Sequence, residues 1–192
     1  TGWRCSGAFV RQLQNTMLLK WRKRLVADAW RELPHGVTFR LYVDGDFDSM
    51  ATMAYWWRLL DSRPDIQVYG YSKSWALFRA WADTGRPFPP NYQLNLSSGS
   101  KYAASGPVAA ALRDLPVLRG EYIAVRVKGH GRGTARFQAP SYHRDVREAA
   151  RQAAGVSQVF SCPGKCGECL PDGQHACGSD RMRGVLIAIG IH

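Results

Sequence analysis

Four cysteines, Cys162, Cys166, Cys169 and Cys177, follow one another as C-x3-C-x2-C-x7-C in the stretch SCPGKCGECLPDGQHACG. No apolar stripe runs through that stretch, so thiols packed as small hydrophobes are a poor account of it. Thiolates this close repel one another unless a cation gathers them. A metal supplies that charge and orders a loop of this composition, and Gly164, Gly167 and Gly173 let the backbone curl around it. Zinc takes four cysteines, or three with a histidine such as His175. An iron–sulfur cluster also takes four thiolates. The expected cofactor is an iron–sulfur cluster held by these four cysteines, with Zn2+ the alternative. Disulfides fit less well in a chain without a secretion signal.

A second polar group is DGDFD, Asp44 to Asp48. Asp44 and Asp46 stand two apart, as a hard-cation or general-base pair does, although an Asx-turn followed by a helix cap explains Asp46 to Ser49 equally well. In YSKSW, Lys73 either holds an anion or fills a turn. The candidate catalytic residues are Asp44, Asp46 and Lys73, and the candidates for holding a cofactor are Ser72, Ser74 and Cys5. GHGRGTAR is glycine-rich and basic but lacks the G-K-[ST] ending of a phosphate-binding Walker loop. His130 and His143 lack the spacing of a helical metal pair.

These residues need elements to position them. Val10, Leu13, Met17, Leu18, Trp21, Leu25 and Trp30 recur at helical spacing, which predicts a helix over residues 8–32. VTFRLYV (37–43) is β-branched and aromatic and predicts a strand. A helix follows, capped by Asp48 or Ser49. The alternation continues with strands at 65–71, 91–98, 121–129 and 156–160 and helices at 74–85, 106–115 and 141–154. The closing RGVLIAIGI reads as a buried strand.

Successive strand–helix units imply an α/β fold with a mostly parallel sheet, forming a partial or complete barrel, plus a Cys-rich metal-binding loop near the C-terminus. The expected organisation is one domain: an N-terminal helical segment (1–36), an α/β core (37–160), the Cys-rich loop (161–182) and a terminal strand (183–192). In parallel α/β folds, ligands bind at the carboxyl ends of the strands. The polar groups after each predicted strand therefore meet on one rim: Asp44 and Asp46, Ser72 to Ser74, Ser97 to Lys101, Lys128 to Arg132, and Cys162.

Among the 192 residues, 26 Lys and Arg face 15 Asp and Glu, for a net charge of +11. That balance favours polyanionic partners, nucleic acid first. The candidates for contacting it are Arg22, Lys23 and Arg24 in one group and Lys128, Arg132 and Arg136 in another. Trp75, Phe78 and Trp81 could stack on bases, although core packing accounts for most such residues. No segment has the ~18 apolar residues of a membrane span. The opening TGWRCSGAFVRQL lacks the apolar stretch of a secretion signal, so the expected location is cytoplasmic.

The chain resembles the phage and plasmid gene product 88 domain family. Arg40, Gly45, Asp46, Phe47, Ser49, Trp57, Pro64 and the Tyr71–Ser72–Lys73–Ser74 run occupy that family's pattern, and Cys162, Cys166, Cys169 and Cys177 are similar to its late cysteines. The resemblance implies a fold related to radical SAM-like barrels and an origin in a mobile element. C-x3-C-x2-C also resembles the radical SAM cradle. That cradle follows a first strand, however, whereas these cysteines follow the fifth, and Cys177 would close the open iron site. Of the family's early CPG…C…CY motif this sequence holds only Cys5, so that either the preceding residues are missing from it or this member has shed the first centre, and the resemblance does not by itself assign SAM chemistry. The family has no assigned reaction.

Two functions follow as expectations. One is an iron–sulfur α/β protein acting on or binding a nucleotide or nucleic acid. The other is a non-enzymatic, zinc-stabilised nucleic-acid-binding or accessory protein, with a possible protein partner in a larger assembly.

Overall fold

A computed structural model describes residues 6–43, 45–130 and 134–191. Helices α1 (Ser6–Trp21) and α2 (Lys23–Arg31) precede β1 (Thr38–Leu41). There follow α3 (Met50–Asp61), β2 (Gln67–Ser72), α4 (Trp75–Asp83), β3 (Tyr92–Ser97), α5 (Pro107–Arg113), β4 (Leu118–Arg126), α6 (Pro140–Ala154), β5 (Val159–Ser161) and β6 (Leu186–Ile191). All six strands are parallel, in the order β1-β2-β3-β4-β6-β5. The α/β class and parallel sheet agree with the sequence. The sheet is open, with β1 and β5 as its edges, and not a closed barrel.

The period-two geometry of the strands decides what each face carries. Val68, Leu94 and Leu96 pack with Trp57, Phe78 and Leu112 in the main core, beneath α3 to α5. Tyr69 and Ile187 point the other way, into a smaller cluster with Ala176, Cys177 and the flanks of the cysteine loop. The long β5–β6 connection therefore folds across the face that the helices leave open, where Tyr71 and Tyr122 also pack.

Two local departures have clear causes. The helix expected over 8–32 breaks at Arg22, whose φ of −135° and ψ of 41° lie outside the helical well. Most of its apolar stripe is not buried: Val10, Leu13, Met17, Trp21 and Leu25 are exposed, Trp21 by 60%, and only Trp30 reaches the core. Helix α3 starts as anticipated, with the Ser49 side chain accepting from the Thr52 N–H at 3.2 Å.

Gly190 marks a close approach of β6 to α6. Its N–H donates to Tyr142 Oη at 2.9 Å, and a Cβ there would lie 2.8 Å from both Tyr142 Oη and Val127 Cγ2. Both neighbours are buried and cannot swing clear. Gly190→Ala is expected to cost about 2 kcal/mol through overpacking, read as a shift of the urea midpoint at unchanged m-value.

Candidate functional site

The carboxyl ends of β1, β2 and β3 and the start of the cysteine loop enclose a cavity of about 720 Å3. Arg40, Lys73 and Lys101 stand on its wall with Tyr71, Cys162 and Cys166. Part of the rim expected from the strand order meets here, with Asp46, Ser74, Ser97 and Ser100 also facing the space, whereas Lys128 and His130 do not line it. Asp44, Cys5 and Arg132 lie outside the described residues.

Asp46 is engaged on both oxygens. Oδ1 accepts from the Phe47 N–H and from Ser72 Oγ, each at 2.8 Å. Oδ2 accepts from the N–H groups of Lys73 at 2.6 Å and Ser74 at 3.0 Å. A carboxylate at the entry of α4 complements the positive end of that helix. Asp46 thereby ties the β1–α3 loop to the β2–α4 loop. Ser72 is buried in the same clamp, and Ser74 Oγ donates to Phe47 O at 2.8 Å. Lys73 projects beside the loop after β3, its Nζ 3.4 Å from where a Cβ on Gly99 would stand. Ser100 Oγ donates to Lys73 O at 3.0 Å, joining the two loops again.

Arg40 is the main rim residue to which the sequence reading, though it placed Arg40 in the family's pattern, gave no role at the site. It alternates with Phe39 and Leu41 on β1, so it faces away from the helices. Its guanidinium lies 4.6 Å above the Tyr71 ring, and its Nε is buried without a hydrogen-bond partner among the described residues. A charge between two apolar residues in a strand was the available signal. Tyr42, just beyond β1, has φ +58°, a conformation rare for a bulky side chain, and it too borders the cavity.

Cys162, Cys169 and Cys177 all pack in the small cluster under the sheet's open face. Tyr71 Oη donates to Cys177 Sγ at 2.6 Å, and Tyr69 Oη lies 2.9 Å from His175 Nδ1 and 3.8 Å from Cys166 Sγ. All four thiols are free, and among the described residues no group of three or more His, Cys, Asp or Glu stands in place to hold a metal ion. Burial pushes the Cys177 thiol up to about 12, against the opposing pull of Tyr71 and Arg119, and it also raises Cys162.

Arg119 lies behind Cys177 and is fully buried. Its Nε donates to Asn95 Oδ1 at 2.6 Å, and its terminal nitrogens donate to the carbonyls of Met182 at 2.9 Å, Val185, and Glu121 at 3.1 Å. Asn95 Nδ2 in turn donates to Cys177 O at 2.9 Å. Burial pulls the guanidinium down to about 10, while Cys177 and Tyr71 pull it back up. It therefore stays charged at neutral pH, with no carboxylate paired to it among the described residues.

The described residues among those proposed to meet nucleic acid differ in exposure. Arg22, Lys23 and Arg24 are exposed around the α1–α2 break, with Lys23 Nζ 5.3 Å from the centre of the Tyr55 ring. Lys128 is exposed after β4. Arg136 is half-buried against the rings of Phe137 and Tyr142, at 4.7 and 5.9 Å. Trp75, Phe78 and Trp81 are buried in the core and cannot stack on bases; their helical spacing placed them inside.

The sequence model of the family described as gene product 88 matches residues 4–184. No curated protein and no solved structure matches the chain.

Proposed function

This chain belongs to the gene product 88 family, and from that premise and the thiol-lined cavity we propose that it is a metal–thiolate α/β protein of mobile-element origin that acts on or binds a nucleotide or nucleic acid. The single observation that carries the reading is the charge balance behind the cysteine loop. A fully buried guanidinium, Arg119, is held by one amide oxygen and backbone carbonyls; Cys177 and Tyr71 favour its charge, and the Arg183 guanidinium opposes it. Buried charges are ordinarily paired or placed beside a metal site. Thiolates ligated to a metal would supply the missing negative charge.

The residue types suit such a group, although among the described residues no three of them stand in place around an ion. Cys162, Cys169 and Cys177 pack in one apolar cluster, and Tyr69 Oη of that cluster lies 3.8 Å from Cys166 Sγ. Cys162, Cys166, Cys169 and Cys177 would hold the metal, with His175 an available substitute donor. When bound, an iron–sulfur cluster supplies one-electron transfer, and zinc supplies structural cross-linking. The chain's own groups do the rest. Arg119 balances thiolate charge, Tyr71 and Tyr69 direct hydroxyls at sulfur and imidazole, and Asp46 holds the rim loops in register.

Anaerobic purification followed by iron, sulfide and zinc analysis tests the reading. The expected result is about one metal centre per chain, lost when Cys169 and Cys177 are changed to serine. A wild-type protein free of all three elements would refute it.

A second reading has its own observation. Trp21 is exposed beside Arg22, Lys23 and Arg24, with Lys20 Nζ 5.4 Å from the centre of its ring. An exposed indole among cations suits stacking on unpaired bases. On this reading the chain is a zinc-stabilised nucleic-acid-binding or accessory protein. Trp21→Ala is then expected to weaken single-strand binding by about tenfold, at ~1–3 kcal/mol per stacked base. Unchanged binding would remove it. Among the described residues no helix is long and apolar enough to cross a membrane, and the cytoplasm is the location proposed.

A further inference from the structure

Neither the cysteine loop nor the basic α1–α2 region accounts for the chemistry of the cavity floor. Three cationic side chains, Arg40, Lys73 and Lys101, reach one space with the hydroxyl-bearing residues Ser97 and Ser100. Asp46 is the one carboxylate on that wall among the described residues. Its oxygens are occupied by Ser72 and three backbone N–H groups, so no lysine is paired to it. Among the described residues none of the three cations forms an ion pair with a carboxylate, and all three border the open volume.

Arg40 is the most specific of the three. The guanidinium lies 4.6 Å from the centre of the Tyr71 ring, a contact that restrains its fork of donors beside the cavity. Its Nε is buried with no acceptor among the described residues, and an unmade bond of that kind is costly unless a ligand completes it. Opposite it, Gly99 (φ +75°) lets the loop after β3 turn tightly under the Lys73 ammonium. A planar fork with two point charges around it matches a tetrahedral oxyanion better than a planar carboxylate, which one arginine alone can satisfy. About 720 Å3 lies in the range of sites for ligands larger than a free ion. Tyr71 and Tyr122, with ring centres 4.6 Å apart, offer an aromatic wall for the remainder.

We propose that Arg40, Lys73 and Lys101 form a subsite for the phosphomonoester group of a nucleotide, either a free mononucleotide or the phosphorylated 5′ end of a strand. The proposal deepens the nucleotide part of the function above and stands independently of the metal. The phosphate is held at the carboxyl ends of β1 to β3, and the nucleoside extends toward the tyrosines and the thiol-bearing wall. Binding here is pocket recognition of one terminal phosphate, distinct from attraction of a strand to the basic surface.

The full chain, metal-loaded and metal-free, is titrated by calorimetry at fixed ionic strength. The probes are AMP, adenosine, inorganic phosphate, acetate, and oligonucleotides with a 5′-phosphate or a 5′-hydroxyl. AMP is expected to bind at least about tenfold more tightly than adenosine, one charged hydrogen bond being worth that much. Phosphate should compete with AMP, and acetate should not. Arg40→Lys and Lys101→Ala should each weaken AMP about tenfold at an unchanged melting temperature, and Arg79→Ala on α4 should leave it unaltered. A preference for the 5′-phosphorylated strand over AMP would identify the strand end as the source; the reverse would identify the free nucleotide. Equal affinity for AMP and adenosine, or wild-type AMP affinity in both cavity variants, overturns the subsite. Metal content measured on the same samples separates this from the metal reading. AMP selectivity in metal-free wild-type protein leaves the subsite standing, and a loaded protein without selectivity sinks the subsite alone.

Discussion

Replacing Arg119 with methionine is expected to destabilise the protein by about 4 kcal/mol, the cost typical of breaking a buried charged network. Methionine fills much of the volume, so the loss reports hydrogen bonding more than a cavity. Two effects oppose each other. Removing a buried cation relieves a desolvation penalty of several kcal/mol. Against that, four bonds from the guanidinium are lost, at about 1.5–3 kcal/mol each for a charged donor. Asn95 Oδ1 and the carbonyls of Met182, Val185 and Glu121 would be left in the interior without that donor. The second effect wins because the acceptors belong to three separate segments and cannot all turn to water. Arg119→Lys keeps the charge but not the fork, and an intermediate loss is expected. Urea unfolding followed by tryptophan fluorescence measures both. A methionine variant within about 1 kcal/mol of wild type would show that the guanidinium does not tie the cysteine loop to the sheet.

Asp46→Ala is the other large effect, expected at about 3 kcal/mol from four bonds to a partly exposed carboxylate. The sequence offered Asp46 as a catalytic base, and the structure supplies a distinguishing outcome. A base with no structural duty would leave the melting temperature unchanged on Asp46→Asn. Here Asn presents an N–H2 where the Lys73 and Ser74 N–H groups, or Ser72 Oγ and the Phe47 N–H, require an acceptor. Asp46→Asn is therefore expected to be nearly as destabilising as Asp46→Ala. Thermal melts of the two variants decide between positioning and proton transfer. An unshifted Asp46→Asn would restore the catalytic reading.

The elements were legible because their causes are local. The β-branched run VTFRLYV, the proline opening α5 and the Ser49 cap act within a few residues of themselves, and β1, α5 and α3 form where they indicate. The rim was legible because a parallel order brings successive strand ends to one edge, which needs only the alternation of elements. The helix expected over 8–32 was misjudged at Arg22. Its apolar spacing recorded a helical face correctly but said nothing about what covers that face. Trp75, Phe78 and Trp81 show the same ambiguity in reverse, since an aromatic at helical spacing reads alike whether it faces core or solvent.

By itself, then, the amino-acid order determined the α/β class, the parallel sheet, the collection of polar loops on one edge and the four clustered thiols. Each of these depends on periodicity or on neighbours in the chain. Only the tertiary structure decided that Arg119 sits behind Cys177, that Arg40 lies over Tyr71 with a donor unmet among the described residues, and that Asp46 is consumed in a clamp. Those relations join residues tens of positions apart, and packing and hydrogen-bond satisfaction are settled where chain segments meet in space.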